Sequence, residues 1–234
     1  LDVTCDADIA EEVIRVLGFD NVVSTLPHLD TKLGALTETQ LKEKLVRDYL
    51  LWNGIDECLT YSLVSKKESK LFALANDDEL YKIINPLTEE REYFRGNVLH
   101  SLLVSASYNI SRQNKDLSLF EISNIDTVNR HEKHLAIVLA GNQLDQGNMS
   151  KSPFDFYHMK GLFEGVCELL GVEPTRYRLE RISSHKDELH PGKAVEIVVN
   201  NKIVGSFGEI HPNKLKELNL NNNQANIQSG LVGD

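Results

Sequence analysis

Cysteine is scarce in this 234-residue chain: Cys5, Cys58 and Cys167 are an odd number at wide spacing, which excludes a disulfide framework and paired metal-ligand spacing. Basic residues are in deficit, 25 Lys and Arg against 35 Asp and Glu, for a formal net charge of −10. Nucleic-acid affinity comes largely from cations neutralising phosphates, so the chain alone is expected to bind nucleic acid poorly. Arg47, Arg176, Arg178 and Arg181 could form a local basic face, but they read better as solvated surface. No apolar run is long enough for a membrane helix, and the opening residues lack a basic-then-apolar leader. These absences fit a reducing cytoplasm, with no membrane and no DNA as partners. Phosphate-cradling and nucleophile signatures are missing too: there is no G-x-G-x-x-G, Walker sequence or G-x-S-x-G, and Cys167 sits mid-helix with no base beside it. His185, His190 and His211 have no companions at zinc spacing; His190-Pro191-Gly192 and His211-Pro212 read as turns.

What is present is a packed α+β pattern, 41% hydrophobic, organised around the stretch from Ile84 to Ser123. Val98, Leu102, Leu103, Ala106 and Ile110 recur at helical spacing and predict a helix to about Gln113 with one apolar face. Leu117–Ile122 predicts the strand it covers, lying beside an earlier strand, Tyr81–Asn85, that Pro86 brings to a stop.

Taken in order, a short β-like run leads into a helix from about Asp8 to Leu17, closed by Gly18. The abrupt start reads as a piece excised from something longer. His28–Ala35 has no periodicity and reads as a linker. Thr37-x-x-Gln40 caps a second helix with Leu41, Leu45, Tyr49 and Trp52 along one side, ended by Asn53-Gly54. Cys58–Val64 reads as a strand and Lys66–Leu74 as a short helix. Asn124–Lys133 is turn-like, His134–Ala140 a central strand, and Asn142–Pro153 a loop. Phe154–Leu170 reads as a helix with Phe156, Met159, Phe163, Val166 and Leu170 on its core stripe. Tyr177–Arg181, Ala194–Val199 and Lys202–Phe207 complete a mostly antiparallel sheet flanked by helices, the last two joined at Asn200-Asn201. His211-Pro212 opens a final short helix. The Asn-rich residues 221–234 have no apolar face and read as a fraying tail.

Four acids crowd the start: Asp2, Asp8, Glu11 and Glu12. Asp8-x-x-Glu11 resembles a capping box, and acids in a first turn complement the helix dipole. An oxygen-only group with open positions would also suit Mg²⁺. Spacing alone favours capping.

Ordered short motifs then carry a resemblance. They are D-x-x-x-x-x-D-x-x-E-E at Asp2–Glu12, the following GFDN, and TYSLVS at Thr60–Ser65. After these come NPL-x-E-E-R, a later YN-x-x-RQ, LFEI, DFY-x-x-KG, HPG-x-x-A-x-I and GEIHP. From Asp2 to about Leu220 the chain resembles the β subunit of bacterial phenylalanyl-tRNA synthetase. The resemblance implies a class II aminoacyl-tRNA synthetase core-like fold. It implies residues 1–27 as the end of a B5 domain, 28–36 as linker and 37–220 as the catalytic-like B6–B7 module. Active class II enzymes hold the ATP α-phosphate with an Arg on the strand pair after the FEI-type segment and a second Arg on a Gly-rich helix. Here FEISNIDTVNRHEK has no F-R-x-E and no such helix follows, so no catalytic residue is expected. The resemblance also raises the metal reading: it assigns Asp2, Asp8, Glu11 and Glu12 to a Mg²⁺ shared with the α subunit.

The expected function is therefore a non-catalytic structural module that assembles with a catalytic α subunit, in an α2β2 heterotetramer aminoacylating tRNA(Phe). The alternative is a free-standing nucleotide- or amino-acid-binding module derived from a synthetase core. An exposed apolar docking face favours the first, and stabilisation by ATP or phenylalanine the second.

Overall fold

A computed structural model describes residues 3–31, 33–73, 79–143, 152–183, 187–218, 220 and the backbone of 228–232. The chain divides into two units, Leu1–Leu36 and Thr37–Asp234.

The first unit is built on helix α1 (Asp6–Leu17). Gly18 ends it at φ 87°, a left-handed value that a side chain disfavours. No strand precedes the helix among the described residues. Its apolar residues Ile9, Val13, Val16 and Leu17 are all exposed.

In the second unit Thr37 caps α2 (Glu38–Trp52) as its motif predicts: Thr37 N–H donates to Gln40 Oε1 at 2.9 Å, and Gln40 N–H to Thr37 Oγ1 at 3.3 Å. After it come β1 (Asp56–Glu57), β2 (Leu63–Val64), α3 (Lys66–Ser69), β3 (Tyr93–Phe94) and α4 (Leu99–Ser111). Then follow β4 (Leu117–Asp126), β5 (His131–Ala140), α5 (Phe156–Leu169) and β6 (Tyr177–Arg181), with β7 (Leu189–Val199), β8 (Lys202–Ile210), α6 (Pro212–Glu217) and β9 (Gln228–Val232) completing the chain order. Seven strands form one sheet in the order β1-β4-β5-β9-β8-β7-β6, antiparallel except for β1 beside β4.

The sheet has two buried faces, and strand alternation sorts residues between them. Leu117, Leu119, Ile125, Ala136, Val138 and Ala140 face α4, which answers with Val98, Leu99, Leu102, Leu103, Ala106 and Ile110. Phe120, Ile137, Leu139, Ile197 and Phe207 face the other way, onto Val46 and Leu50 of α2 and Met159, Phe163 and Val166 of α5. Each fully buried Leu or Phe is worth about 2 kcal/mol of transfer free energy. The four serines in α4 make it a weak helix by propensity, so this packing holds it. On the second face Phe207 stacks on Phe156 at 5.3 Å between ring centroids, and Phe163 meets Tyr177 edge-on at 5.1 Å. Gly165 is required where α5 passes α2, because a Cβ there would sit 1.9 Å from the Tyr49 hydroxyl. Asn200 and Asn201 take positive φ, 50° and 62°, in the β7–β8 hairpin.

Several sequence expectations are corrected. Cys58–Val64 is not one strand. Cys58 N–H still donates to Phe120 O at 2.7 Å, but the chain then leaves the sheet, and Leu63–Val64 pair with Phe94–Tyr93 in a separate two-stranded ribbon. Tyr81–Asn85 does not lie beside β4; this region makes only isolated bridges, Leu80 to Thr127 and Lys82 to Tyr93. The Lys66–Leu74 helix is only the four-residue α3, and Leu74 lies outside the described residues. Asn124–Lys133 mostly extends β4 and β5, leaving a turn at Thr127–Arg130. His190-Pro191-Gly192 lies inside β7, where the register shifts between Leu189 and Ala194, a bulge that lets a proline sit in a strand. The tail is not all frayed: Gln228–Val232 forms β9, hydrogen-bonded between β5 and β8.

The reason the chain leaves the sheet after Cys58 is a buried charge. Arg95 Nη2 donates to Glu121 Oε1 at 2.6 Å and Nη1 to Thr60 Oγ1 at 2.5 Å, while the Thr60 hydroxyl donates to Glu121 Oε2 at 2.6 Å. Both charged side chains are 2% exposed. Glu121→Leu alone strands the guanidinium and should destabilise the chain by about 3–5 kcal/mol in urea unfolding, whereas Arg95→Met combined with Glu121→Leu should recover most of that loss.

Candidate functional site

The four acids expected to bind Mg²⁺ are not gathered among the described residues. Asp2 lies outside them. Asp8 stands at the third helical position of α1, not at its cap: its Oδ2 accepts from Thr4 N at 2.6 Å, Cys5 N at 2.8 Å and Thr4 Oγ1 at 3.1 Å. The capping motif is therefore displaced three residues from the predicted one, with Asp8 reaching back rather than forward. The Thr4 and Cys5 backbone donors hold the Asp8 carboxyl at about 2. Glu12 is paired with Arg15, Oε2 to Nη2 at 2.6 Å. No group of three His, Cys, Asp or Glu placed to hold a metal occurs among the described residues, which do not include Asp2.

The remaining titratable suspects are structural. Arg47 spans Glu43 and Glu57 at 2.9 and 2.8 Å, and Arg178 reaches Asn201 at 2.9 Å. His211 caps α6, its Nδ1 accepting from Asn213 N at 3.2 Å, and His190 Nδ1 accepts from Gly192 N at 3.1 Å; His185 lies outside the described residues. Burial lifts the Cys167 thiol to about 11, which keeps it protonated and inert.

The β4–β5 pair is where the resemblance to active class II enzymes implies a phosphate-binding arginine. Its one arginine, Arg130, sits in the connecting turn, half exposed and 3.7 Å from Glu132. The α4-facing side of the pair is filled by the apolar core and by Glu121, already bound to Arg95.

An open surface occurs instead on α2. Of the predicted stripe of Leu41, Leu45, Tyr49 and Trp52, only Tyr49 packs against the core; Val46 and Leu50 enter it, and Trp52 is 83% exposed, with Leu41, Leu45 and Leu51 also exposed. Leu41, Leu45 and Trp52 fall within roughly 40° of arc, opposite Val46 and Leu50. Sequence reasoning found the helix and both its ends but chose the outward face. The signal that marks the buried side, Val46 and Leu50 at i and i+4, is no stronger than the rival.

Comparison with known proteins agrees with this geometry. Residues 22–227 match the family described as the phenylalanyl tRNA synthetase beta chain CLM domain. The chain is 35% identical over 214 residues to the phenylalanine–tRNA ligase beta subunit of Listeria monocytogenes, and 37% over 216 residues to that of Staphylococcus aureus strain Mu50. These matches cover 88% and 89% of this chain and 26% of each relative, so the chain spans about a quarter of their length. In fold it is similar to a pyrrolysyl-tRNA synthetase of Desulfitobacterium hafniense, TM-score 0.61 at 12% identity, over 84% of this chain and 66% of that one. With a family match over residues 22–227 and a sheet similar in fold to that of a pyrrolysyl-tRNA synthetase, the chain belongs to the phenylalanyl-tRNA synthetase beta chain CLM domain family.

Proposed function

We propose that this chain is a structural, non-catalytic module of a phenylalanine–tRNA ligase β subunit, which supports assembly with the catalytic α subunit for ATP-dependent charging of tRNA(Phe). In this reading residues 1–27 are the end of a B5 domain, 28–36 a linker and 37–220 the catalytic-like module of a cytoplasmic α2β2 enzyme. The observation that carries it is the outward stripe of α2. Leucines and a tryptophan left in water on a helix whose opposite side is fully packed are what an obligate interface exposes when its partner is away. The filled α4 side of the sheet supports the silent half of the reading, since phosphoryl chemistry needs cations on the phosphates as charge moves. No helix among the described residues is long and apolar enough to cross a membrane.

Binding to the α subunit tests it. Trp52→Asp and Leu45→Asp should each weaken co-purification or raise the dissociation constant at least about tenfold, the range of an interface hot spot. Their thermal unfolding should stay close to the parent because both side chains are already exposed. Undiminished assembly in the double variant would remove α2 as the docking element.

Mg²⁺ held by Asp2, Asp8, Glu11 and Glu12 is retained as a proposal with its own check. As a cap, Asp8 stabilises α1 only while ionised. Its folded pKa lies below the ordinary carboxylate value, so its contribution is present above about 3.8 and lost as pH falls through about 2. Asp8→Ala should therefore reduce helical circular dichroism equally in Mg²⁺ and in EDTA. A loss confined to the Mg²⁺ sample would assign the acids to the cation instead.

A further inference from the structure

The outer side of α4 and the segment Leu59–Ser65 enclose a cavity of about 520 Å³, whose lining includes Glu68, Glu90, Arg91, His100 and Ser101, with Leu63, Val64 and Val104 as apolar wall. This cavity lies on the side of α4 turned away from the sheet, and nothing in the assembly reading uses it. Its charges are unbalanced. Burial raises the Glu68 carboxyl, but the Ser65 backbone and hydroxyl donors outweigh it and hold the group below its ordinary value, hence ionised. The imidazole that could answer it does not: burial lowers the His100 pKa, leaving the ring neutral. His100 is 6% exposed, and neither ring nitrogen has a hydrogen-bond partner, Glu68 Oε1 approaching Nε2 only to 3.4 Å. Glu90 adds a second, exposed carboxylate on the lining. Arg91, the one permanent cation among the described lining residues, sits over Tyr61 with its Cζ 3.8 Å from the ring centroid.

We propose that this cavity receives a primary ammonium group on an aliphatic stem, presented as a lysine side chain by a partner protein, with the ammonium between Glu68 and Glu90 and the stem along Leu63, Val64 and Val104. The argument is charge complementarity in a half-enclosed, half-apolar site. Two carboxylates and one preoccupied guanidinium leave one negative charge to be answered, and an ammonium brings three donors into a place with spare acceptors. The Ser101 hydroxyl on the lining offers a further oxygen. Four methylenes match the apolar wall, which a bare cation would leave unused.

The test follows the His100 ring by ¹H–¹³C NMR in histidine-labelled chain, its resonance assigned with His100→Gln. Nα-acetyl-lysine-N-methylamide is titrated against the norleucine analogue, which keeps the stem and lacks the charge. The lysine compound should move the His100 resonance saturably, with half-saturation on the order of 10 mM for so small a ligand, and the norleucine compound should not. Glu68→Gln should raise half-saturation at least about fivefold. Glutamine still completes the S-x-x-Q capping box with Ser65, so α3 keeps its cap. No saturable shift, equal shifts from both compounds, or a response untouched by Glu68→Gln would each overturn the proposal. The experiment uses this chain alone, so its failure is distinguishable from a failure of α-subunit assembly.

Discussion

A guanidinium and a carboxylate taken out of water together need partners inside the protein, and much of this fold is arranged around supplying them to Arg95 and Glu121, although Arg95 Nε is left without a hydrogen bond. Glu121 comes from β4, Arg95 follows β3, and Thr60 lies between β1 and β2, so one hydrogen-bonded group ties three segments far apart in sequence. Arg95 N–H donates to Ser62 O at 2.9 Å, fixing the backbone of the same junction. Next to it, Asn97 accepts from Leu99 N at 2.5 Å and donates to Phe72 O at 2.5 Å, which sets where α4 begins. A buried pair of this kind adds little net stability compared with apolar residues of the same shape. Its effect is on register: the chain cannot run on along β4 as a longer edge strand without withdrawing Thr60.

The same arrangement gives the proposed silence a physical basis. A synthetase-like sheet carries chemistry only if one face stays open to substrate and charged for phosphate. Here the α4 side is closed by leucines and by a carboxylate that already owns its cation. In the proposed reading the architecture persists without the site, as expected when function is grafted onto a fold rather than fixed by it.

How far this was readable from sequence depended on whether local and long-range physics agreed. In α4 and most of α5 they did: the 3.6-residue stripes of Leu102, Leu103, Ala106 and Ile110, and of Met159, Phe163 and Val166, are the buried ones, while Phe156 and Leu170 at the ends of the predicted α5 stripe are half-buried and exposed. The caps at Thr37 and Gly18 and the Asn200-Asn201 turn are decided within a few residues and were legible for that reason. The face of α2 was not, because Leu41, Leu45 and Trp52 rival Val46 and Leu50 in apolarity and the choice rests on what covers each side. The break after Cys58 was hidden because it depends on partners at Arg95 and Glu121. Among the early acids, spacing could not distinguish a third helical residue reaching back to Cys5 from a cap reaching forward, so Asp8 was given the wrong neighbour. Nor could any local pattern foretell that His100 would be buried without a partner.

The position of β9 bears on how the chain is made. β5 is complete at Ala140 and β8 at Ile210, but the strand that joins their edges is Gln228–Val232. As the polypeptide leaves the ribosome, the β4–β5 hairpin and the β6–β7–β8 meander can each form from nearby residues, yet they remain two half-sheets with unpaired inner edges until that segment emerges. Such edges invite pairing with other chains. The interval between Ala140 and Gln228 is thus a period of vulnerability during synthesis, in which a chaperone or a prompt partner has most to protect.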